Sequence, residues 1–356
     1  MKPLSINHNP HHLAHQHGLT LVEVMIAITI SLILLVGVMQ IFTGSRQTYR
    51  VQDNMARLQE NGRFAISFLT KDLRMAGYTG CASKSTTINN IASSTTASFT
   101  GGGIAGFEYT ALPVALAATN TLTPSDVRAG TDIITIKGAA PSGATLSGNM
   151  TAVNANVQLL TASVASMFSA GDILFISDCG NADIFAATNV SSGSGTTTIA
   201  HSSAMNTSNN LSRPYRTDAE IMRMESSAYY IGTDAANNNA PTLYRRRLVG
   251  TAMVTEPLVE GVENMQILYG EDTDADFTVT PSVPGDGAAN RYLPATTVGD
   301  MRRVVSVRMN LLLRTAEDNL ANLPQVYNFN GASVPATDRR LRRVFSTTIK
   351  VRNKGL

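Results

Sequence analysis

The stretch Gly18-Leu19-Thr20-Leu21-Val22-Glu23 opens an apolar run that continues to Phe42. Between Leu19 and Phe42 the chain carries one charged side chain, Glu23, and no proline. As an α-helix these 24 residues rise about 36 Å, enough to cross a hydrocarbon core of about 30 Å. Residues 1–18 (MKPLSINHNPHHLAHQHG) are polar and precede the run. A secretory signal has the opposite order, with its apolar core ahead of the cleavage site. The order predicts a membrane-spanning helix over 19–42 in preference to a buried core helix. Glu23 is the anomaly, since an ionised carboxylate in hydrocarbon costs about 2.5 kcal/mol or more and so needs a partner or a function. It lies one turn inside the run, where the helix macrodipole favours an acid. A cut after Gly18 would create an α-amine at the same end, which a staggered neighbouring chain could bring to Glu23. A lone acid reaching for the interface is the alternative.

Helical periodicity continues past the span. Val51, Met55, Leu58, Gly62, Ala65, Leu69 and Ala76 follow steps of three and four, with Leu73 close by. Arg57, Glu60, Lys71 and Arg74 occupy other faces, as in an amphipathic helix with one buried stripe over 43–77. Gly77 and Gly80 then supply a helix stop. A helix from Leu19 to Ala76 would be about 87 Å long. Its first half suits packing among similar rods, and its second half suits support of a sheet.

Composition narrows the function. The 356 residues hold 28 Lys plus Arg and 26 Asp plus Glu, a net charge of +2, unlike the basic excess of a dedicated nucleic-acid binder. Five of the six His lie within the first 17 residues, leaving His201 alone downstream. That excludes a multi-His metal site and most His-based catalysis from the body of the chain. His8, His11, His12, His15 and His17 have the composition of a metal tract but fit a solvated tail. Two cysteines, Cys81 and Cys179, are too few for a four-cysteine zinc site. No G-x-S-x-G elbow, H-E-x-x-H pair or P-loop occurs, so no catalytic residue is expected.

Three further patterns read as structural. Gly101-Gly102-Gly103-Ile104-Ala105-Gly106 fits G-x-G-x-x-G but follows no apolar strand, and is expected to be a loop coincidence. Asp272, Asp274 and Asp276 begin like a calcium loop, yet Phe277 and Val283 stand where its Gly and Glu belong. No metal or other cofactor is expected, a structural calcium at those three acids being the alternative. Arg245-Arg246-Arg247 lies on an expected strand, so successive side chains face opposite ways, and ion-paired or solvated strand ends are expected there. The same holds for Arg302-Arg303, Arg339-Arg340 and Arg342-Arg343.

Residues 82–210 contain nine charged side chains, and no Lys or Arg lies between Lys137 and Arg213. Apolar runs at 133–136 and 173–176 alternate with Gly/Ser/Thr/Asn loops such as 191–198, which reads as a β-rich, loop-rich stretch over 78–225. From 226 to 356 strands are expected at 228–231, 242–249, 265–269, 304–313 and 345–351. Val305, Val307, Met309, Leu311 and Leu313 alternate with Ser306, Arg308, Asn310 and Leu312, predicting one buried and one more polar face of an antiparallel sheet.

Gly18 to Glu23 followed by the apolar helix resembles the class III signal of type IV prepilins. The resemblance implies cleavage after Gly18 on the cytoplasmic side by prepilin peptidase and methylation of Leu19 as the new amino terminus. It makes Glu23 the fifth residue of the mature chain; Leu19 stands where many members have Phe. Lys2 is the only Lys or Arg before the span, whereas Arg46 and Arg50 follow it, so the orientation comes from the resemblance and not from charge. Gly77 to Cys81, Ser177-Asp178-Cys179, Leu258 to Val262, Leu268-Tyr269-Gly270 and Val351-Arg352-Asn353 resemble the PilW-type minor pilin of type IV pili. The J-type pseudopilin of type II secretion is also similar.

The resemblance implies an α+β, type IV pilin-like fold: a long amino-terminal helix packed on a carboxyl-terminal antiparallel β-sheet head. It implies a subunit held single-pass in the inner membrane, with its head in the periplasm and later in the pilus. Its partners would be other minor pilins, the major pilin and a tip adhesin, with nucleic acid not expected. Because the periplasm permits oxidation, Cys81 and Cys179 are expected to form a disulfide joining the helix end to the head, two free thiols being the alternative. The rival roles are a J-type pseudopilin and a membrane-tethered receptor for DNA or surfaces.

Overall fold

A computed structural model describes residues 20–82, 86–93, 103–109, 122–123, 125–160, 166–250, 252–276 and 283–353. The leader, with Gly18, Leu19 and the His cluster, lies outside the described residues. One helix runs over Leu21–Met75. The chain divides into two compact units, Met1–Asp53 and Asn54–Leu356.

In the first unit the apolar side chains are exposed along their whole length, from Leu21 at 76% to Ile41 at 75%. Among the described residues this is the one helix long and apolar enough to cross a membrane. Its two central threonines are satisfied internally. Thr29 donates to the carbonyls of Met25 and Ile26, and Thr43 to those of Met39 and Gln40. Neither threonine hydroxyl is therefore an orphaned donor.

In the second unit the helix buries Asn54, Leu58, Gly62, Ala65, Leu69 and Leu73, one stripe in steps of three and four. Leu58, Ala65, Leu69 and Leu73 share a core with Ile134, Tyr229 and Ile231 and with Met265, Ile267, Val307 and Met309. Asp72 adds a polar tie, accepting the Tyr229 hydroxyl at 2.5 Å with Arg245 3.8 Å away. Burial, reinforced by the charge of Asp72, holds that hydroxyl protonated well above the usual tyrosine range. The helix stops at Gly77, whose φ of 72° is left-handed, with its N–H donating to Lys137 at 2.8 Å.

The head carries an eight-stranded and a four-stranded sheet. In the larger one Thr87–Asn90, Asn181–Ala186, Ile173–Ser177, Glu220–Asp234, Ala240–Val249 and Ala252–Glu260 follow in that order. Ile133–Thr145 pairs with Glu220–Asp234 and carries Ile104–Phe107 on its other side. The smaller sheet has the order Arg291–Leu293, Val262–Glu271, Val304–Arg314, Arg342–Lys350. Thr87–Asn90 lies parallel to Asn181–Ala186, whereas the pairs within the smaller sheet are antiparallel.

Four expectations change. Strand Glu220–Asp234 runs through residue 225, so the stretches on either side share a sheet. The 191–198 stretch is not a loop but a hairpin, Asn189–Gly193 with Thr196–Ala200, turning at Ser194 (φ 50°) and Gly195 (φ 79°). Two successive positive φ values are what the tight type I′ turn requires. On Val304–Arg314 the face of Val305 to Leu313 is buried throughout, and the other face is mixed, with Val304, Ser306 and Leu312 buried, Asn310 and Arg314 half-buried and Arg308 exposed, its guanidinium 4.0 Å above the Tyr292 ring. Two glycines of the 101–106 run, Gly103 and Gly106, are not loop filler: a Cβ on Gly103 would overlap the backbone of Gly77, and one on Gly106 the Tyr269 ring. Small size at these two positions lets strand Ile104–Phe107 close on the helix end and the second sheet.

Two features lock the head. Cys81 and Cys179 form a disulfide, with Cα atoms 4.9 Å apart and 98 residues of separation, joining the end of the helix to the turn after Ile173–Ser177. Closing a loop of that size stabilises by up to about 4.7 kcal/mol in the chain-entropy view. Cys179→Ser is expected to lower the unfolding free energy by about 2–5 kcal/mol in urea titration of the oxidised protein, and a loss near zero would contradict it. Asp183, fully buried, accepts from Asn89 Nδ2 (2.6 Å), Ser212 N (3.0 Å), Ser212 Oγ (2.6 Å) and Tyr215 Oη (2.6 Å).

Candidate functional site

Chemistry concentrates at the start of the helix. Thr20 precedes the first helical residue, and its Oγ1 accepts the Glu23 N–H at 3.3 Å. Glu23 Oε2 in return accepts the Thr20 N–H and hydroxyl, each at 3.1 Å. This is the reciprocal capping box of a Thr-x-x-Glu sequence, which satisfies two of the donors a helix leaves open at its start. The pattern Thr20-Leu21-Val22-Glu23 carries the Thr-x-x-Glu signal of such a box. Glu23 thus has a partner within its own chain.

Among the described residues that follow Thr20, the neighbours of Glu23 are exposed apolar side chains, Leu21, Val22, Val24, Met25 and Ile26. Such a surface is stable in lipid or against other apolar helices, not in water. A cation meeting Glu23 there would interact in a low dielectric, where a charge pair is far stronger than in bulk solvent.

The other sequence-derived candidates resolve differently. Asp272, Asp274 and Asp286 bring carboxylate oxygens within 4.8 Å of one another. Asp276, expected in that group, turns instead to Arg303 at 3.6 Å, because it lies on the short strand Ala275–Asp276. Buried Asp272 is already engaged by main-chain donors, Asp274 N–H at 3.1 Å and Gly287 N–H at 2.8 Å. Main-chain donors therefore make Asp272 a loop staple, whereas Asp274 and Asp286 are exposed beside it. Arg245 and Arg247 share one face and both pair with Glu256, at 2.8 and 2.7 Å. Glu256 thus ties these two guanidiniums together across the paired strands. Arg342 pairs with Glu263 and Asp338 at 2.7 and 2.6 Å, and Arg302 with Asp300 at 2.8 Å.

Residues 228–353 match the protein family described as Type IV Pilus-assembly protein W. Residues 13–39 match the prokaryotic N-terminal methylation motif, which spans Gly18, Leu19 and Glu23. Among solved structures, a type IV-like pilin from Thermus thermophilus is similar, with 13% identity, 38% of this chain and 70% of that chain covered, and a TM-score of 0.21. No curated protein matches the sequence. A prepilin methylation motif on the apolar helix and a PilW domain in the β-sheet head together give this chain the make-up of a PilW-type type IV pilin.

Proposed function

We propose that this protein is a minor pilin, a non-catalytic subunit that helps to start type IV pilus assembly together with other minor pilins. Prepilin peptidase cuts it after Gly18 and methylates Leu19, while the span holds it in the inner membrane with the head in the periplasm. The observation that carries this reading is the capped Glu23 on a helix whose apolar side chains are uncovered. An acid so placed, with a fresh amine one residue before its cap, is suited to joining the amino termini of adjacent subunits. The work is packing, helix against helix and head against head.

Isolation from envelopes of the native host, followed by mass measurement of the amino terminus and of copurifying proteins, tests the proposal. A chain beginning at methylated Leu19 and accompanied by pilins is the expected result. A chain retaining Met1 would overturn the processing step, and secretion components in place of pilins would assign it to type II secretion.

A further inference from the structure

Within the second unit the helix has a face that the sheets leave bare. Leu58, Gly62, Ala65, Leu69 and Leu73 are buried, whereas Phe64, Phe68 and Met75 are 51, 37 and 40% exposed. At 3.6 residues per turn Arg57, Phe64, Phe68, Lys71 and Met75 fall within about 60° of arc, a straight stripe about 27 Å long. Phe64 and Phe68, one turn apart, make a contiguous apolar ridge, unlike single scattered exposures, and such a ridge marks a contact surface. Ala56 and Ser67, exposed beside it, are small enough to let another backbone come close.

The charges around the ridge say what covers it. Exposed Arg57, Arg63, Lys71 and Arg74 stand against one exposed acid of this segment, Glu60. Half-exposed Asp72 is committed to Tyr229 and Arg245. Arg63, Lys71 and Arg74 form no ion pair among the described residues. Lys71 and Met75 also line a groove of about 390 Å³, with Gly138 and Ala140 on one strand and Arg223 on the next. Of the charged groups there, Arg245 and Arg247 are paired with Glu256, and Asp172 accepts the Ser169 N–H at 2.9 Å. That leaves Glu225 to set against Lys71 and Arg223. Hydrocarbon is a poor cover, since four cations would enter it with the ridge. A second copy laid face to face is no better, because it would set four cations against four.

We propose that this face docks the helix of a different subunit, one that presents Asp or Glu to Arg63 and Lys71 and apolar side chains to Phe64 and Phe68. The inference rests on the reading of the chain as an assembly subunit, and it adds that the neighbour on this face is acidic and is not another copy. Packing against the ridge sets the two axes about 8–10 Å apart. The flanking charges then select the neighbour, since unlike charges attract there and like charges repel.

Photo-crosslinking in the native host tests the docking, with the full-length chain carrying p-benzoylphenylalanine in place of Phe68 and the adduct identified by peptide mass spectrometry. The expected adduct joins position 68 to an acid-bearing helix of a different subunit. Arg63→Glu with Lys71→Glu should lower its yield about tenfold or more, whereas Arg63→Lys with Lys71→Arg should keep it. The Cys81–Cys179 disulfide reports on folding, and Lys71→Glu alone decides should the reversed pair lose it. An adduct with a second copy, with lipid or with a segment lacking acids overturns the proposal, as does no adduct or a yield indifferent to charge reversal. The identity of the crosslinked protein tests the assembly reading separately: an acidic helix from a secretion component keeps the docking and removes the pilus role.

Discussion

Glu23→Val is expected to leave the head folded and the protein in the membrane, yet to remove it from sheared fibres. Valine is at home in lipid and lacks both the charge and the cap, so nothing in the head should sense it. Losing one partner of a desolvated charge pair costs about 3–5 kcal/mol, or more than a hundredfold in an association equilibrium. Losing a helix cap costs only about 0.5–2 kcal/mol. Glu23→Gln separates these terms, because a glutamine oxygen can still accept the Thr20 N–H while the charge is gone. If Gln restores incorporation, Glu23 acts as a cap and the inter-subunit pairing is wrong. If Gln fails as Val does, the charge is what assembly uses. Quantitative immunodetection of the fibre and membrane fractions reads both variants, with the intact disulfide as the check on folding.

Asp183→Ala should be the most damaging single change in the head, lowering the unfolding free energy by about 3–5 kcal/mol. Alanine leaves the Ser212 N–H and the Tyr215 hydroxyl without their acceptor, and Asn89 Nδ2 without its partner. Each unsatisfied buried donor costs about 1–3 kcal/mol. These donors come from two separate segments, around Asn89 and Ser212–Tyr215, so the loss also loosens the second core, where Tyr215 packs with Leu159, Phe185 and Ile199. Urea titration of the oxidised protein measures the effect. A change below about 1 kcal/mol would mean that water replaces the carboxylate without loss, and that the site is less dry than the packing indicates.

How much was legible depended on how strongly side-chain chemistry tracks geometry. Leu58, Gly62, Ala65 and Leu69 announce the helix and its buried face because hydropathy at a 3.6-residue period has few other meanings. Strand Val304–Arg314 was equally plain, but its second face was not. Ser306 and Leu312 look like the half-exposed alternates of an open sheet until a covering layer exists, and cover is a tertiary property. The hairpin 189–200 escaped because Ser and Thr carry little hydropathy, and its turn signal, Ser194-Gly195, sits among many similar glycines. Gly103 and Gly106 show the converse, a motif whose spacing matched a phosphate loop while its glycines answer to a helix end and a tyrosine ring. At the amino terminus the anomalous acid was obvious; that its first partner lies three residues away was not.

The cross-link between Cys81 and Cys179 gives the molecule a defined response to mechanical load. In a fibre subunit of the kind proposed above, load would arrive through the helix, which ends at Met75, six residues before Cys81. Force arriving there passes across the sulfur bridge to residue 179, bypassing the intervening segment, the two cysteines being 98 positions apart. Fully drawn out, that segment would add about 330 Å of contour, none of which can be released while the bridge stands. Tension is thus relayed into the sheet at Ile173–Ser177, and the thinly charged lobe between the two cysteines is kept out of the load path.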